Sequence, residues 1–185
     1  MAITRDDAAQ ALSDIASTQS RSHALAGYNM AGPILILWGV IWAAAYTAMG
    51  LLPMDHWWFA WLPGDVIGII ASILLSSRAA KKGAGKGLTW RVIGGMVLIV
   101  IFCCALFAMV HPSDVNIYMA FPGLLTGTIY AALGLMRMTR YLWVGAAVIV
   151  ASLVGFFEFS SILPYWMAVT GGGGLIVSGL LFRRA

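Results

Sequence analysis

The most conspicuous shortage in this sequence is charge. Only 10% of its 185 residues are charged, against about a quarter in soluble proteins, whereas 61% are hydrophobic and the mean hydropathy is +0.90. A bilayer-spanning helix needs about 20 mostly apolar residues, and this length recurs six times. The six stretches cover residues 30–50, 57–77, 92–111, 116–136, 141–159 and 162–182. The sequence therefore predicts an all-α integral membrane protein with six transmembrane helices, and it leaves no room for a soluble catalytic domain.

Basic residues are missing from alternate loops. The predicted loops at 50–57, 110–116 and 159–163 hold no Lys or Arg, whereas all eleven basic residues lie in the other loops or near the two termini. Because cytoplasmic loops hold the excess of Lys and Arg, both termini are predicted to be cytoplasmic. A short chain rich in Ala and Gly, without a signal peptide, favours a bacterial inner membrane. This distribution also argues against a nucleic-acid partner, which requires a continuous basic surface.

A signal peptide is absent too, because residues 1–28 contain no continuous apolar core. This segment is predicted to be a cytoplasmic tail with a short helix, ahead of a transmembrane domain over residues 29–185. Thr4 and Asp7 resemble a capping box, and Leu12 and Ile15 recur at helical spacing. The helix is predicted to lie against the bundle or the bilayer surface; docking of a partner protein is the alternative.

Catalytic and metal-binding patterns are also lacking. The two cysteines, Cys103 and Cys104, are adjacent, and the three histidines do not fit a metal-ligand spacing. The basic stretch "KKGAGKG" lacks the residue spacing of a phosphate-binding loop. We therefore expect no enzymatic activity, no cofactor and no bound metal.

An internal repeat is present. Residues 53–78 align with residues 112–137 without a gap, and a weaker third copy ends at Arg184. The three units, at about 30–79, 90–138 and 140–185, predict three parallel-repeat helix hairpins, each inserted in the same direction. The even-numbered helices hold the small residues, so we predict that they are innermost.

The even-numbered helices are each weakened at a similar position. Interrupted helices in corresponding positions are typical of a transporter's midplane site, whereas small residues four apart equally favour close helix packing. Both interpretations remain open. The candidate intramembrane site comprises Asp65, Pro63, Gly64, Pro122, Gly123, Thr126, Thr170, Gly171 and Gly172.

Asp65 distinguishes the two interpretations. In a continuous helix it lies near the midplane, where an ionisable residue costs at least about 2.5 kcal/mol and indicates a functional site. If a new helix instead begins after Gly64, Asp65 caps its N–H groups nearer the outer interface. The matching residue of the second repeat is Leu124, so the repeat itself does not require a carboxylate.

Polar and aromatic residues gather at the predicted outer turns. Acids and histidines there form a candidate outer mouth that attracts cations, although polar turn residues need no special role. The mouth comprises Asp55, His56, His111, Asp114 and Glu158. Aromatic residues near the same turns predict an outer membrane-interface belt. The belt comprises Trp57, Trp58, Trp61, Tyr165 and Trp166.

Two functions fit this pattern. The first is a small-solute or ion permease or channel, a homo-oligomer with Asp65 near the path. The second is a non-transporting regulatory, sensory or assembly protein that binds a membrane or cytoplasmic protein partner. The lipid bilayer surrounds the chain in either case. Transport requires that Asp65, Thr126, Thr128 and residues 170–174 face one shared cavity.

Overall fold

The computed structural model describes residues 5–81, 90–136 and 139–183, and the regular elements within them are all helical. The first five helices are α1 (Arg5–Leu51), α2 (Trp57–Lys81), α3 (Trp90–Val110), α4 (Val115–Met136) and α5 (Thr139–Glu158). The last span is composite: α6 (Leu163–Met167), a π-helical segment (Ala168–Gly173) and α7 (Gly174–Arg183). Short 3-10 turns at Met54–His56 and Ser160–Ile162 precede α2 and α6.

Five helical stretches within the described residues are long and apolar enough to cross a membrane. They are Gly27–Leu51, Met54–Arg78, Val115–Met136, Thr139–Glu158 and Ser160–Arg183. These correspond to five of the six predicted spans, so the all-helical architecture with several membrane-length helices is confirmed. In α3 the apolar stretch among described residues is Val97–Val110, which is shorter. The sixth span stays a prediction.

The N-terminal tail helix and the first span form one helix. α1 runs without a break past residue 28, and Pro33 lies inside it. Leu12 and Ile15 are 68% and 61% exposed, so this face of α1 is not covered by the described bundle. Several predicted features lie outside the described residues. They are Thr4, the loop at 82–89, Arg137 and Arg184.

Helices approach each other closely where glycines face each other. A Cβ on Gly39 of α1 would lie 2.6 Å from the carbonyl oxygen of Gly172 in the last span. A Cβ on Gly127 of α4 would lie 2.9 Å from the carbonyl oxygen of Gly145 in α5. Small residues allow backbones to approach this closely in membrane proteins. The bundle is therefore built on two tight pairs, α1 with the last span and α4 with α5.

The strongest helix contacts do not follow the order of the predicted hairpins, which stay a prediction. α4 packs most closely against α5, which follows it, and touches α3 through the ring of Phe107 against Tyr118 and Phe121. α2 packs against α1, and its opposite face is exposed, with Val66 at 48% and Ile70 at 54%. The prediction that the even-numbered helices are innermost is wrong for α2. Glycine spacing shows that a helix packs closely, but not which neighbour it meets.

Aromatic rings fill the core between the helix pairs. Trp61 of α2 packs edge-on against Trp42 and Tyr46 of α1, with ring centroids 6.1 and 5.1 Å apart. The Tyr46 hydroxyl donates a 2.8 Å hydrogen bond to the carbonyl oxygen of Met119 in α4. These contacts tie α2 and α4 to α1 at the level of the candidate site.

Candidate functional site

Asp65 lies in the interior of α2, because the helix begins eight residues earlier, at Trp57, and continues to Lys81. It is also close to the middle of the membrane-length stretch Met54–Arg78. The alternative in which Asp65 caps a new helix is therefore wrong. A continuous helix leaves one carbonyl without its N–H partner at Pro63, whereas a break in lipid would expose several backbone groups.

Asp65 lies on the face of α2 that packs against α1. It follows Trp61 by four residues and precedes Gly68 by three, and residues at these spacings share one helix face. A Cβ on Gly68 would lie 2.9 Å from Cδ1 of Ile41 in α1. One turn further along, Trp38 of α1 donates a 3.1 Å hydrogen bond from Nε1 to the hydroxyl of Ser72.

The Asp65 side chain is half-buried at the border of this interface. Four residues later, Ile69 is 48% exposed on the neighbouring surface of α2. Among the hydrogen bonds and ion pairs of the described residues, none involves the Asp65 carboxylate. A carboxylate at mid-membrane depth without a partner is energetically unfavourable, so this position requires an explanation beyond packing.

The prolines of the candidate site do not interrupt their helices. Pro63 lies inside α2 and Pro122 lies inside α4. Gly64 faces Ile41 of α1, whereas Gly123 faces Ser152 of α5 and Met167 of α6. The prediction of breaks at these two positions is wrong, and the glycines serve helix packing.

The glycine-rich run in the last span does change the helix. Residues Ala168–Gly173 form a π-helical segment, at the middle of the membrane-length stretch Ser160–Arg183. Gly171 and Gly172 are buried there against Trp42 and Ala43 of α1. Short π-helical segments within α-helices frequently occur at functional sites. The predicted weakening is thus confirmed in this span alone among the three.

The candidate intramembrane residues are distributed over three helix interfaces. Gly64 and Asp65 lie between α2 and α1, Gly123 lies between α4 and the helices α5 and α6, and Gly171 lies between the last span and α1. Pro122 and Thr126 are half-buried on α4. Trp42 stands between two of these interfaces, because it contacts both Trp61 of α2 and Gly171.

Several Ser and Thr hydroxyls in the spans form hydrogen bonds within their own helices. In four cases the hydroxyl donates to the carbonyl oxygen four residues earlier, which is the usual local partner of Ser and Thr within a helix. The bonds measure 2.7–2.8 Å. These hydroxyls belong to Thr47, Thr128, Ser152 and Thr170. Buried side-chain nitrogen and oxygen atoms of the described residues all have a partner.

The predicted outer mouth contains one local contact between an acid and a histidine, and one helix cap. The imidazole of His56 lies 3.1 Å from the carboxylate of its neighbour Asp55, and both side chains are exposed. Asp114 accepts a 2.9 Å hydrogen bond from the backbone N–H of Asn116, so it caps α4. His111 adopts a left-handed turn conformation with a φ of 41°, and Glu158 is exposed at the end of α5. Across residues 5–81, 90–136 and 139–183, no group of three metal-binding side chains occurs.

Residues of the predicted aromatic belt form hydrogen bonds to α1. The indole N–H of Trp61 donates to the Met49 sulfur at 2.9 Å. The hydroxyl of Tyr165 donates to the carbonyl oxygen of Gly50 at 3.0 Å. The signal that sequence reasoning missed is in α1, where Trp38, Trp42 and Tyr46 recur every four residues and so form one aromatic face.

Comparisons with known proteins do not identify a family. No protein-family model, curated protein or solved structure matches this chain. The function is therefore inferred from the geometry around Asp65.

Proposed function

We propose that this chain is a non-transporting membrane partner protein that associates through α2 with another membrane-spanning protein. The observation on which the proposal rests is the half-buried carboxylate of Asp65 at the middle of α2. α2 packs against α1 on one side and is exposed on the other. A regulatory, sensory or assembly role follows from association of this kind.

Charge complementarity indicates the chemistry of the partner. Placing a charged residue at the bilayer centre costs about 2.5–3.5 kcal/mol, and such residues pair with a complementary group. All eleven Lys and Arg of this chain lie in its N-terminal tail, near the ends of its spans or between them in the sequence, away from the middle of α2. A second copy would bring another carboxylate rather than a cation. The partner is thus a different protein with a basic or strongly hydrogen-bonding side chain at mid-membrane depth.

A small-solute or ion permease or channel, formed by a homo-oligomer, is the second candidate function. Two observations favour it: the mid-membrane carboxylate, and the π-helical segment at the middle of the last span. The distribution of the candidate residues over three interfaces and the locally satisfied hydroxyls favour the partner protein instead.

The proposed topology has six spans in a bacterial inner membrane, with α3 as the third and both termini in the cytoplasm. Its support is the gathering of basic residues at one end of the bundle. Arg140 contacts Tyr28, and Arg183 contacts Gly32, so the start of the first span, the start of α5 and the end of α7 share that end. The positive-inside rule assigns this end to the cytoplasm.

Photocrosslinking in native membranes tests the association. A photoreactive amino acid replaces Ile69, next to Asp65 on α2. In the control variant it replaces Val150, which is 58% exposed on α5. We expect a protein adduct from position 69, larger than a dimer of this chain or different from it in composition. Asp65→Asn abolishes this adduct, whereas Asp55→Asn at the exposed outer turn leaves it unchanged.

Three outcomes contradict the proposal. Adducts with lipid alone at position 69 show that α2 faces the bilayer. An adduct that persists in Asp65→Asn shows that the carboxylate plays no part in binding. An adduct consisting of two copies of this chain favours the homo-oligomer, and thereby the permease.

A further inference from the structure

We propose that this protein binds the phosphate of an anionic lipid headgroup between Arg140 and Arg183, at the end of the bundle where α5 begins and α7 ends. This end is called the basic end below. The inference is independent of Asp65 and of the proposed protein partner, because it depends on different helices and a different depth.

Arg140 is held in place by an aromatic cluster. Its guanidinium carbon lies 5.1 Å from the ring centroid of Tyr28, within the range of a cation–π interaction. The backbone N–H of Arg140 donates to the Tyr28 hydroxyl at 3.3 Å, which satisfies one free N–H group at the start of α5. Tyr28 is itself 6% exposed and packs against the rings of Tyr141 and Phe182. The guanidinium therefore projects from a rigid base.

Arg183 contacts the same face of α1, at Gly32. It follows the buried Phe182, whose ring centroid lies 4.9 Å from that of Tyr28. The Cγ of Arg183 would lie 2.7 Å from a Cβ on Gly32, so the glycine provides the space for the arginine stem. The charged head of Arg183 is exposed.

The two arginines contact neighbouring turns of α1. Arg140 lies over Tyr28 and the stem of Arg183 lies against Gly32. Tyr28 and Gly32 are four residues apart and so lie on one helix face, about 6 Å apart along the axis. Guanidinium groups bind phosphate oxygens through two parallel N–H bonds, so two arginines that meet one helix face in this way provide donors for a single phosphate.

The acidic side chains of residues 14–81, 90–136 and 139–183 lie far from this pair. Asp55, Asp114 and Glu158 lie at the turns of the opposite end, and Asp65 lies at the middle of α2. Asp14 lies about 21 Å before Tyr28 along α1, at about 1.5 Å per residue. The positive charge of Arg140 and Arg183 is therefore available to an external anion.

The depth of the basic end favours a lipid over a soluble phosphate. Tyr28, Arg140 and Arg183 lie at or next to the terminal residues of the membrane-length stretches Gly27–Leu51, Thr139–Glu158 and Ser160–Arg183. Residues at the ends of spans are level with the lipid headgroups, and basic pockets between helices at this level bind anionic lipids.

Lipid titration of the full chain in neutral detergent tests the site. Bound phosphatidylglycerol is counted by native mass spectrometry, with phosphatidylcholine as the reference lipid. We expect Arg140→Gln and Arg183→Gln each to weaken phosphatidylglycerol binding about tenfold, because each removes a charge-assisted contact. The matched control is Arg78→Gln, which removes another exposed charge, in the last turn of α2, and leaves binding unchanged.

The controls separate the possible sources of an effect. A single cooperative thermal unfolding transition without lipid in each of the three variants shows that the fold is intact. Equal weakening by Arg78→Gln overturns the proposal in favour of a general surface charge. Competition by inorganic phosphate at the concentration of the lipid overturns the lipid assignment in favour of a soluble anion. Equal binding of phosphatidylcholine overturns the requirement for an anionic headgroup.

Discussion

α2 and α4 have the same proline and glycine spacing, yet they pack in different ways. Gly127 of α4 faces the backbone of α5, whereas its counterpart Gly68 of α2 faces the side chains of Ile41 and Trp38 in α1. α4 is therefore held in a tight pair, and α2 is a peripheral helix held by side chains. The shared spacing determines which face of each helix consists of small residues. The neighbouring helix determines how closely that face is packed.

The difference extends to the residue after each Pro-Gly pair. α4 has Leu124 and α2 has Asp65, so the carboxylate occurs in the helix with the looser contact. Looser packing leaves Asp65 half-buried beside an exposed surface, where a second membrane protein can reach it. The comparison thus links the position of the acid to the part of the bundle that remains open.

Exchanging the types of Asp65 and Leu124, the residues that follow the two Pro-Gly pairs, gives the largest expected effect on stability. We predict that Leu124→Asp lowers the free energy of unfolding by about 2.5–3.5 kcal/mol, because it adds a charge at the centre of a packed span. Asp65→Leu in the purified chain leaves stability unchanged or raises it. Equilibrium unfolding in mixed micelles measures both. A large loss in Asp65→Leu contradicts the view that the carboxylate has no partner within the bundle.

The matched glycines provide the next test. We expect Gly127→Ala to cost about 2 kcal/mol, because its methyl group meets backbone atoms of α5 that cannot move independently. Gly68→Ala meets the end of the Ile41 side chain and the Trp38 ring, and costs less than about 1 kcal/mol. Thermal unfolding of the two variants under one condition compares them. Equal losses would remove the distinction between a tight and a loose interface.

The smallest predicted effect is the loss of the hydrogen bond between α1 and α2. Trp38→Phe is expected to cost about 0.6 kcal/mol from this bond, the average for polar contacts between membrane helices. A double-mutant cycle with Ser72→Ala isolates that value from the lost ring contacts. A coupling energy near zero would show that packing alone holds α2 against α1.

Helix positions could be predicted from the sequence because hydropathy and length determine them locally. Five spans match the predictions to within a few residues, whereas the partners of each span depended on backbone contacts such as Gly127 with Gly145. The helix breaks at Pro63 and Pro122 were predicted wrongly, because in lipid a continuous helix leaves fewer unsatisfied groups.

The candidate site could be predicted in part. Asp65 stood out as a rare ionisable residue in an apolar run, and its depth follows from a continuous α2. Its separation from Thr126 and Thr170 could not be predicted, since that depends on Trp42 standing between α2 and the last span. Asp65 does not cap a helix, whereas Asp114, directly before α4, does.

Water access at position 65 tests the central claim most directly. Cys103 and Cys104 are replaced by Ala, and single cysteines are placed at Asp65, at Leu62 and Ile69 as depth controls, and at Asp55 as an exposed control. A membrane-impermeant thiol reagent is then added to right-side-out and to inverted membrane vesicles. We predict modification at position 55 and none at 62, 65 or 69 from either side, because Asp65 faces protein and lipid rather than water. Modification at 65 without modification at 62 and 69 would contradict this claim and establish a water-filled path of the kind that a permease requires.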